Sequence, residues 1–388
     1  MVKNTARTAG NIYSMLLHHS YLQPSTYIPA VALLGKYFKI YDGTAPVDRS
    51  GTILFPTLMK SIFPLPLLQP SRKSYKELCA DRAADIARRA QEHNAFIYLS
   101  WSGGVDSTCA LVCLLEYCEH KRIIVLLTDN SIAEYPKFYQ RHIRGKLRCQ
   151  HANVFPRVLA SPNLFVSGEH NDQLFGSDII ADAISFFGID AVLGRLQREL
   201  LTSLYEIKLN GDRNTALFFS GLFGRLGETA PVVLKTNFDL PWWINFTLKW
   251  QTVYMRTLAF SHNPLTIRQI DTFYQPFFKT NEFQLWSMHN LDQRIKKHWK
   301  TYKWPAKDII YEFTKDADYR DHKIKYRSLT HLFADVPSHN FIDENFSFQE
   351  KMDWYRPQND FTQAAFDLGM RVVGADAPSP QDANARPS

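Results

Sequence analysis

A short apolar run at residues 96–99 breaks into Ser102-Gly103-Gly104-Val105-Asp106-Ser107-Thr108, and a second apolar run, 109–115, follows at helical spacing. This pattern predicts a strand, a tight glycine loop and a buried helix, in that order. Two adjacent glycines let the backbone approach a ligand and turn successive N–H groups towards it. The Ser and Thr hydroxyls add donors, and the helix behind them contributes its positive end. Such a loop suits a di- or triphosphate. It lacks the lysine of a GxxxxGK[ST] loop, so the phosphate charge must be neutralised from elsewhere. Asp106 indicates how: a carboxylate among phosphates makes sense only if it holds a cation, most simply Mg²⁺.

The heptapeptide resembles SGGxDS[ST], the pyrophosphate-binding loop of the N-type ATP pyrophosphatases of the PP-loop superfamily, which include GMP, NAD, argininosuccinate and asparagine synthetases. The resemblance implies that ATP is cut between its α and β phosphates and that a substrate oxygen is adenylated. It assigns ATP contacts to Ser100, Ser102, Gly103, Gly104, Asp106, Ser107 and Thr108.

Residues 164–178 (LFVSGEHNDQLFGSD) repeat the theme. A short strand, 164–166, enters Ser167-Gly168, two carboxylates follow three apart, and a helix begins at about 178. The stretch resembles the SGEGxDELFGGY signature of the asparagine synthetase synthetase domain at Ser167, Gly168, Glu169, Asp172, Leu174, Phe175 and Gly176. It departs at His170 for Gly, Gln173 for Glu, Ser177 for Gly and Asp178 for Tyr. The resemblance implies that Asp172 joins Asp106 on a Mg²⁺ ion bridging the ATP phosphates, with Ser167 and Gly168 at the nucleotide. It places Glu169 near the acyl centre, where it orients or deprotonates the incoming amine. Loss of the signature Tyr at position 178 implies a substrate other than the family's usual one. Asp172 follows Asp106 by only 66 positions, fewer than the resemblance leads one to expect, which implies a trimmed or divergent member.

Two later stretches carry fainter likenesses. Tyr274-Gln275-Pro276-Phe277-Phe278, followed by Phe283 and Trp286, is similar to the PFLD segment and helix that close the active site in asparagine synthetases, with Lys279 in place of the Asp. Residues 319–325 (YRDHKIK) resemble an Arg-x-Lys element whose lysine stabilises the adenylated intermediate. Both Lys323 and Lys325 fit the spacing, and a solvated basic run is the bland alternative.

Strands alternating with helices predict an α/β fold, a parallel sheet with helices on both faces and ligands at the carboxyl ends of its strands. Helices are expected at 76–93 and 109–117, and a second strand at 123–127. Beyond 189 the periodicity is helical, at 190–209, 215–226, 241–260, 281–297 and 305–314. The expected organisation is an N-terminal segment of no assigned role (1–75), an α/β ATP pyrophosphatase core (76–188), a helical substrate-closing region (189–330) and a C-terminal extension (331–388). The composition of residues 375–388 predicts disorder there.

Trp242, Trp243, Trp250 and Trp286 recur at helical spacing and read as core rather than a base-stacking platform. Cys79, Cys109, Cys113, Cys118 and Cys149 lack CxxC spacing and read as reduced packing residues of a cytoplasmic protein. His142, Cys149 and His151 lack a fourth ligand and are not assigned a metal. The longest apolar stretch outside the core, 53–68, contains Lys60, Pro56, Pro64 and Pro66, so no membrane span is expected. A net charge of +7 admits an anionic partner.

The expected activity is therefore an ATP-dependent carbon–nitrogen ligase. A small-molecule or peptide carboxylate is adenylated, pyrophosphate leaves, and an amine attacks the acyl group. Residue 2 is Val2 and the first cysteine is Cys79, so the glutaminase nucleophile of full asparagine synthetases is not expected in this chain. Ammonia or amine would come from the substrate or a separate supplier. Two rivals stand beside this reading: a PP-loop enzyme adenylating a base in nucleic acid, and a non-catalytic nucleotide-binding partner protein. The first has the basic charge in its favour but no RNA-binding appendage or paired catalytic cysteines.

Overall fold

The structure is a computed structural model that describes residues 47–54, 61–176, 178–259, 265–324 and 371–372. The segment expected to be disordered, 375–388, lies outside the described residues, as do Lys325 and residues 1–46. The chain forms two compact units. One contains Leu68–Asp178 together with the described residues from Thr257 to 324; the other contains Ile179–Arg256 and the described residues before Leu68, with 371–372. Both motifs, the 274–278 segment and Lys323 thus share a unit, a grouping different from a division at 188/189.

The first unit is α/β. Strands β1 (Ile97–Ser100), β2 (Ile123–Leu127), β3 (Arg148–His151) and β4 (Leu164–Ser167) form one parallel sheet in the order β3-β2-β1-β4. β2 reads Ile-Ile-Val-Leu-Leu and is buried at every position, as a strand covered on both faces must be. β3, Arg-Cys-Gln-His, was not legible as a strand: it lies at the sheet edge, where polar residues are tolerated because only one side is paired.

Helix α1 (Tyr75–Glu92) starts at a capping box: the Ser74 hydroxyl accepts from Glu77 N, and the Glu77 carboxylate accepts from Ser74 N. α2 spans Val105–Tyr117, four residues longer than its apolar run suggests. Gly104 takes an extended conformation as its N-cap, so Asp106, Ser107 and Thr108 lie in the first turn and not in the loop. α1 and α2 pack together, with the buried thiols of Cys79, Cys109 and Cys113 within 4.8 Å of one another. Short helices α3 (Asp129–Glu134) and α4 (Asn171–Phe175) follow β2 and β4. α5 (Asn281–His289) ends well before residue 297, breaking at Asn290 into a 3-10 turn over Leu291–Gln293. α6 (Trp304–Thr314) and α7 (Ala317–His322) follow in the same unit.

The 274–278 segment runs beside β4. Gln275 N donates to Phe165 O at 2.8 Å and Phe277 N to Ser167 O at 2.9 Å. Buried Arg82 of α1 fixes it there: Nε donates to Phe277 O (3.2 Å), and Nη2 to Gln275 Oε1 (2.9 Å) and Pro276 O (3.2 Å), while Nη1 pairs with Asp85 (2.8 Å). Burial pulls this guanidinium down to about 10, still charged at neutral pH.

The second unit is helical. Helices Arg198–Lys208 and Arg213–Glu228 pack closely, and Asp239–Leu248 contacts the latter. A continuous 190–209 helix is not formed. The chain leaves Ile189–Leu193 at Gly194, and Leu196 N donates to Lys235 O, a strand-like contact incompatible with a helix. The expected 241–260 helix is likewise two, divided at Lys249. Trp242, Trp243 and Trp250 are fully buried in this unit and Trp286 is buried in the first, so all four are core. Among the described residues no helix is long and apolar enough to cross a membrane.

Arg82→Met would leave buried carbonyls of the 275–277 segment without their donor. The expected cost is at least about 2 kcal/mol, measured by denaturant unfolding against wild type.

Candidate nucleotide and cation site

The strand order reverses at β1: the chain steps outward to β2 and β3, then returns to β4 on the other side of β1. Parallel sheets open a ligand crevice at the carboxyl ends of their strands at such a reversal. Ser100 pairs with Ser167 in register, so the two Ser-Gly loops leave the sheet side by side. Gly168 makes their approach possible. A Cβ at this position would lie 2.7 Å from Ser107 N and 2.9 Å from Asp106 C, closer than real contacts allow. Gly103 has φ +76°, and a Cβ there would meet Ser131 O at 2.4 Å and the Glu134 side chain at 2.7 Å, so α3 seats directly against the loop.

Hydroxyls of the loop and of the first turn of α2 knit the backbone together. Ser107 Oγ accepts from Ser102 N at 3.0 Å, lies 3.0 Å from Ser102 Oγ and donates to Gly104 O at 3.3 Å. Thr108 is fully buried, and its Oγ1 accepts from Trp101 Nε1 at 3.0 Å, so this residue holds the turn from beneath. Ser102 is exposed; Gly104 and the half-buried Ser100 sit beside it.

The two carboxylates meet at one point. Lys303 Nζ donates to Asp106 Oδ1 and Oδ2 at 2.7 and 2.6 Å and to Asp172 Oδ1 at 2.5 Å. The lysine side chain is only 4% exposed, against 24% for Asp106 and 30% for Asp172, so solvent reaches the cluster from the carboxylate side. Asn171 Nδ2 donates to Asp106 Oδ1 at 2.7 Å and is itself held by Tyr75 OH at 2.8 Å. Lys303 enters by an unusual route. It is the N-cap of α6 in the left-handed conformation (φ 60°, ψ 33°), and its charge sits at the positive end of that helix. A non-glycine residue there costs on the order of 1–2 kcal/mol, and a cation at a helix N-terminus adds to it. The ion pairs to two acidic residues offset both.

A second ion pair lies at the loop. Lys323 pairs with Glu134, the residue against which Gly103 is seated. α7 is fastened there as well: Tyr319 OH donates to Gly103 O at 3.2 Å, and its ring stacks on Tyr135 at 3.8 Å between centroids. Lys307 Nζ donates to Lys300 O and Lys323 O and ties α6 to the segment after α7. Burial, then the positive charges of Lys303 and Lys323, push the Lys307 ammonium down to about 8.

The structure therefore brings Ser102, Gly103, Gly104, Asp106, Ser107, Ser167, Gly168, Asp172 and Lys323 into one region and leaves Lys325 outside the described residues. Glu169 is half-buried in the turn after β4, three residues from Asp172. His170, buried with φ +76°, occupies the position that the SGEG signature gives to glycine. Comparison with family models, with curated proteins and with solved structures returned no match for this chain. Lys303, Asn171, Glu134, Lys307 and Tyr319 were not singled out in the sequence. A signal existed for Lys303: a lysine immediately before Trp304-Pro305, the start of a helix, opposes the helix dipole and implies a facing anion.

The pH dependence of stability tests the burial of Lys307. Its ammonium is lowered from its ordinary 10.5 to about 8 in the folded chain, so between those values the unfolded chain binds more protons. Wild type should gain stability relative to Lys307→Met as pH rises from about 8 towards 10.5. Urea unfolding of both proteins at pH 7.5, 9 and 10 reads this, and a constant difference would contradict it.

Proposed function

We propose that this chain is an ATP-dependent, AMP-forming ligase of the PP-loop type, similar to the synthetase domain of asparagine synthetases. A carboxylate is adenylated with release of pyrophosphate, and an amine then takes the acyl group. The observation that carries the reading is the convergence of Asp106 and Asp172, from the segments that follow two Ser-Gly loops, on a single cation position. An ammonium already stands there, so the donor set fits a hard cation such as Mg²⁺.

The residues divide the work as follows. Asp106 and Asp172 would hold the ion, which when bound neutralises phosphate charge and stabilises the pyrophosphate leaving group. The amides of Gly103 and Gly104 and the N-terminus of α2 bind phosphate oxygens. Lys303 at the two carboxylates, and Lys323 at Glu134, supply the positive charge for which the loop itself has no lysine. Glu169 orients or deprotonates the amine from the turn after β4. A leaving pyrophosphate is favoured over γ-phosphoryl transfer because the donors surround the β1 and β4 loops and no lysine within the loop clamps the terminal phosphates. Residues 274–278, adjacent to β4, flank the acceptor side, and the cytoplasm provides the ATP such a ligase needs.

Incubation with ATP, magnesium and pooled metabolite, peptide or nucleic-acid fractions tests the proposal. AMP and pyrophosphate should appear in equal amounts with a fraction containing a carboxylate and an amine. Asp106→Asn should lower the rate by at least about a hundredfold. ADP and phosphate as the products would contradict the reading. AMP formed only with RNA or DNA would transfer the activity to a nucleobase substrate.

A further inference from the structure

We propose that Lys303 is a latch on the cation site: its ammonium holds Asp106 and Asp172 together and makes divalent-cation binding conditional on nucleotide. The inference rests on the reading of these carboxylates as metal ligands and adds an order of binding to it. Nζ lies 2.5–2.7 Å from three oxygens of the two residues, at the point where their charges converge. A Mg²⁺ ion binds carboxylate oxygens at roughly 2.0–2.1 Å. Two cations cannot share that space, so a metal entering the site must displace the lysine.

Displacement alone is unfavourable. The Lys303 side chain is 4% exposed, and an ammonium moved off both carboxylates inside the protein would lose its ion pairs without regaining full hydration. A triphosphate changes the balance by offering oxygens of its own. The flexible four-carbon stem of lysine can then turn from carboxylate to phosphate while the ion takes the carboxylates. Its backbone stays anchored, because Lys303 N donates to Arg294 O at 2.9 Å and the residue caps α6. Asn171 keeps Asp106 in place during the exchange through its 2.7 Å hydrogen bond, itself backed by Tyr75. Lys303 is thus a positioning residue whose charge keeps free divalent ions out and admits them with nucleotide. By linkage, metal and nucleotide each tighten the other, by a factor in the usual range of about 5–150.

The test is Mn²⁺ binding, followed by electron paramagnetic resonance of the free ion. Without nucleotide, Lys303→Met should bind Mn²⁺ at least about tenfold more tightly than wild type, since two facing carboxylates without their ammonium recruit a cation. Adding Asp172→Asn to Lys303→Met should abolish the gain. Wild type should acquire Mn²⁺ affinity on addition of α,β-methylene-ATP, beyond what the analogue binds in protein-free buffer; this arm stands even if the variant fails to fold. Tight binding by nucleotide-free wild type, equal to that of Lys303→Met, would overturn the latch and leave the metal assignment in place. No Mn²⁺ binding by either protein, with or without the analogue, would remove the metal assignment and the latch together.

Discussion

The contact on which the rest of the site depends is the passage of Gly168 against the first turn of α2. β1 and β4 pair in register at Ser100 and Ser167, and the loop that follows β4 clears Ser107 N and Asp106 C only because residue 168 has no side chain. From that approach the rest follows by chain geometry. Asp106 is the second residue of α2 and Asp172 the second of α4, so two helices that begin side by side each bring a carboxylate to the same point. The strand reversal at β1 is what puts residues 66 apart in sequence at adjacent strand ends.

Two like charges held this close require a counter-charge, and the chain supplies it at some conformational cost. Lys303 adopts a left-handed backbone and places its ammonium at the N-terminus of α6, against the helix dipole. Such an arrangement persists only where a strong local interaction outweighs it. The neighbouring cations share the strain: Lys307 is lowered to about 8 by burial and by Lys303 and Lys323, while Lys323 is compensated by Glu134. The region therefore holds its positive charge close to a backbone already shaped to donate, which is the electrostatic requirement for a polyanion. His170, at φ +76°, is a second left-handed non-glycine residue at the site, two positions before Asp172.

The sheet and both Ser-Gly loops were legible because each is a local pattern: apolar run, small polar turn, apolar run. The burial of the four tryptophans was legible for the same reason, since helical periodicity reports a buried face directly. Edge strand β3 was not, because a half-paired polar strand carries no periodic signature. Helix ends were misjudged where tertiary contacts decide them, at Gly194, Lys249 and Asn290. Thr108 reads as a phosphate donor in the sequence, yet its hydroxyl faces Trp101, a partner that only the packed structure reveals. Lys303 and Glu134 were missed because they reach the loop from distant chain segments, 197 residues from Asp106 in the case of the lysine. The Lys323 segment was legible only through its likeness to an Arg-x-Lys element, and its pairing with Glu134 holds it at the loop.

The central claim is that the two Ser-Gly loops form one cation and nucleotide site. Crystals grown with Mn²⁺ and α,β-methylene-ATP, with data collected at the manganese absorption edge, test it most directly. The account predicts an anomalous peak liganded by both Asp106 and Asp172, with Lys303 Nζ moved from the carboxylates to a phosphate oxygen. A nucleotide bound elsewhere, or phosphates at the loop with Lys303 still bridging the two carboxylates and no manganese between them, would contradict it.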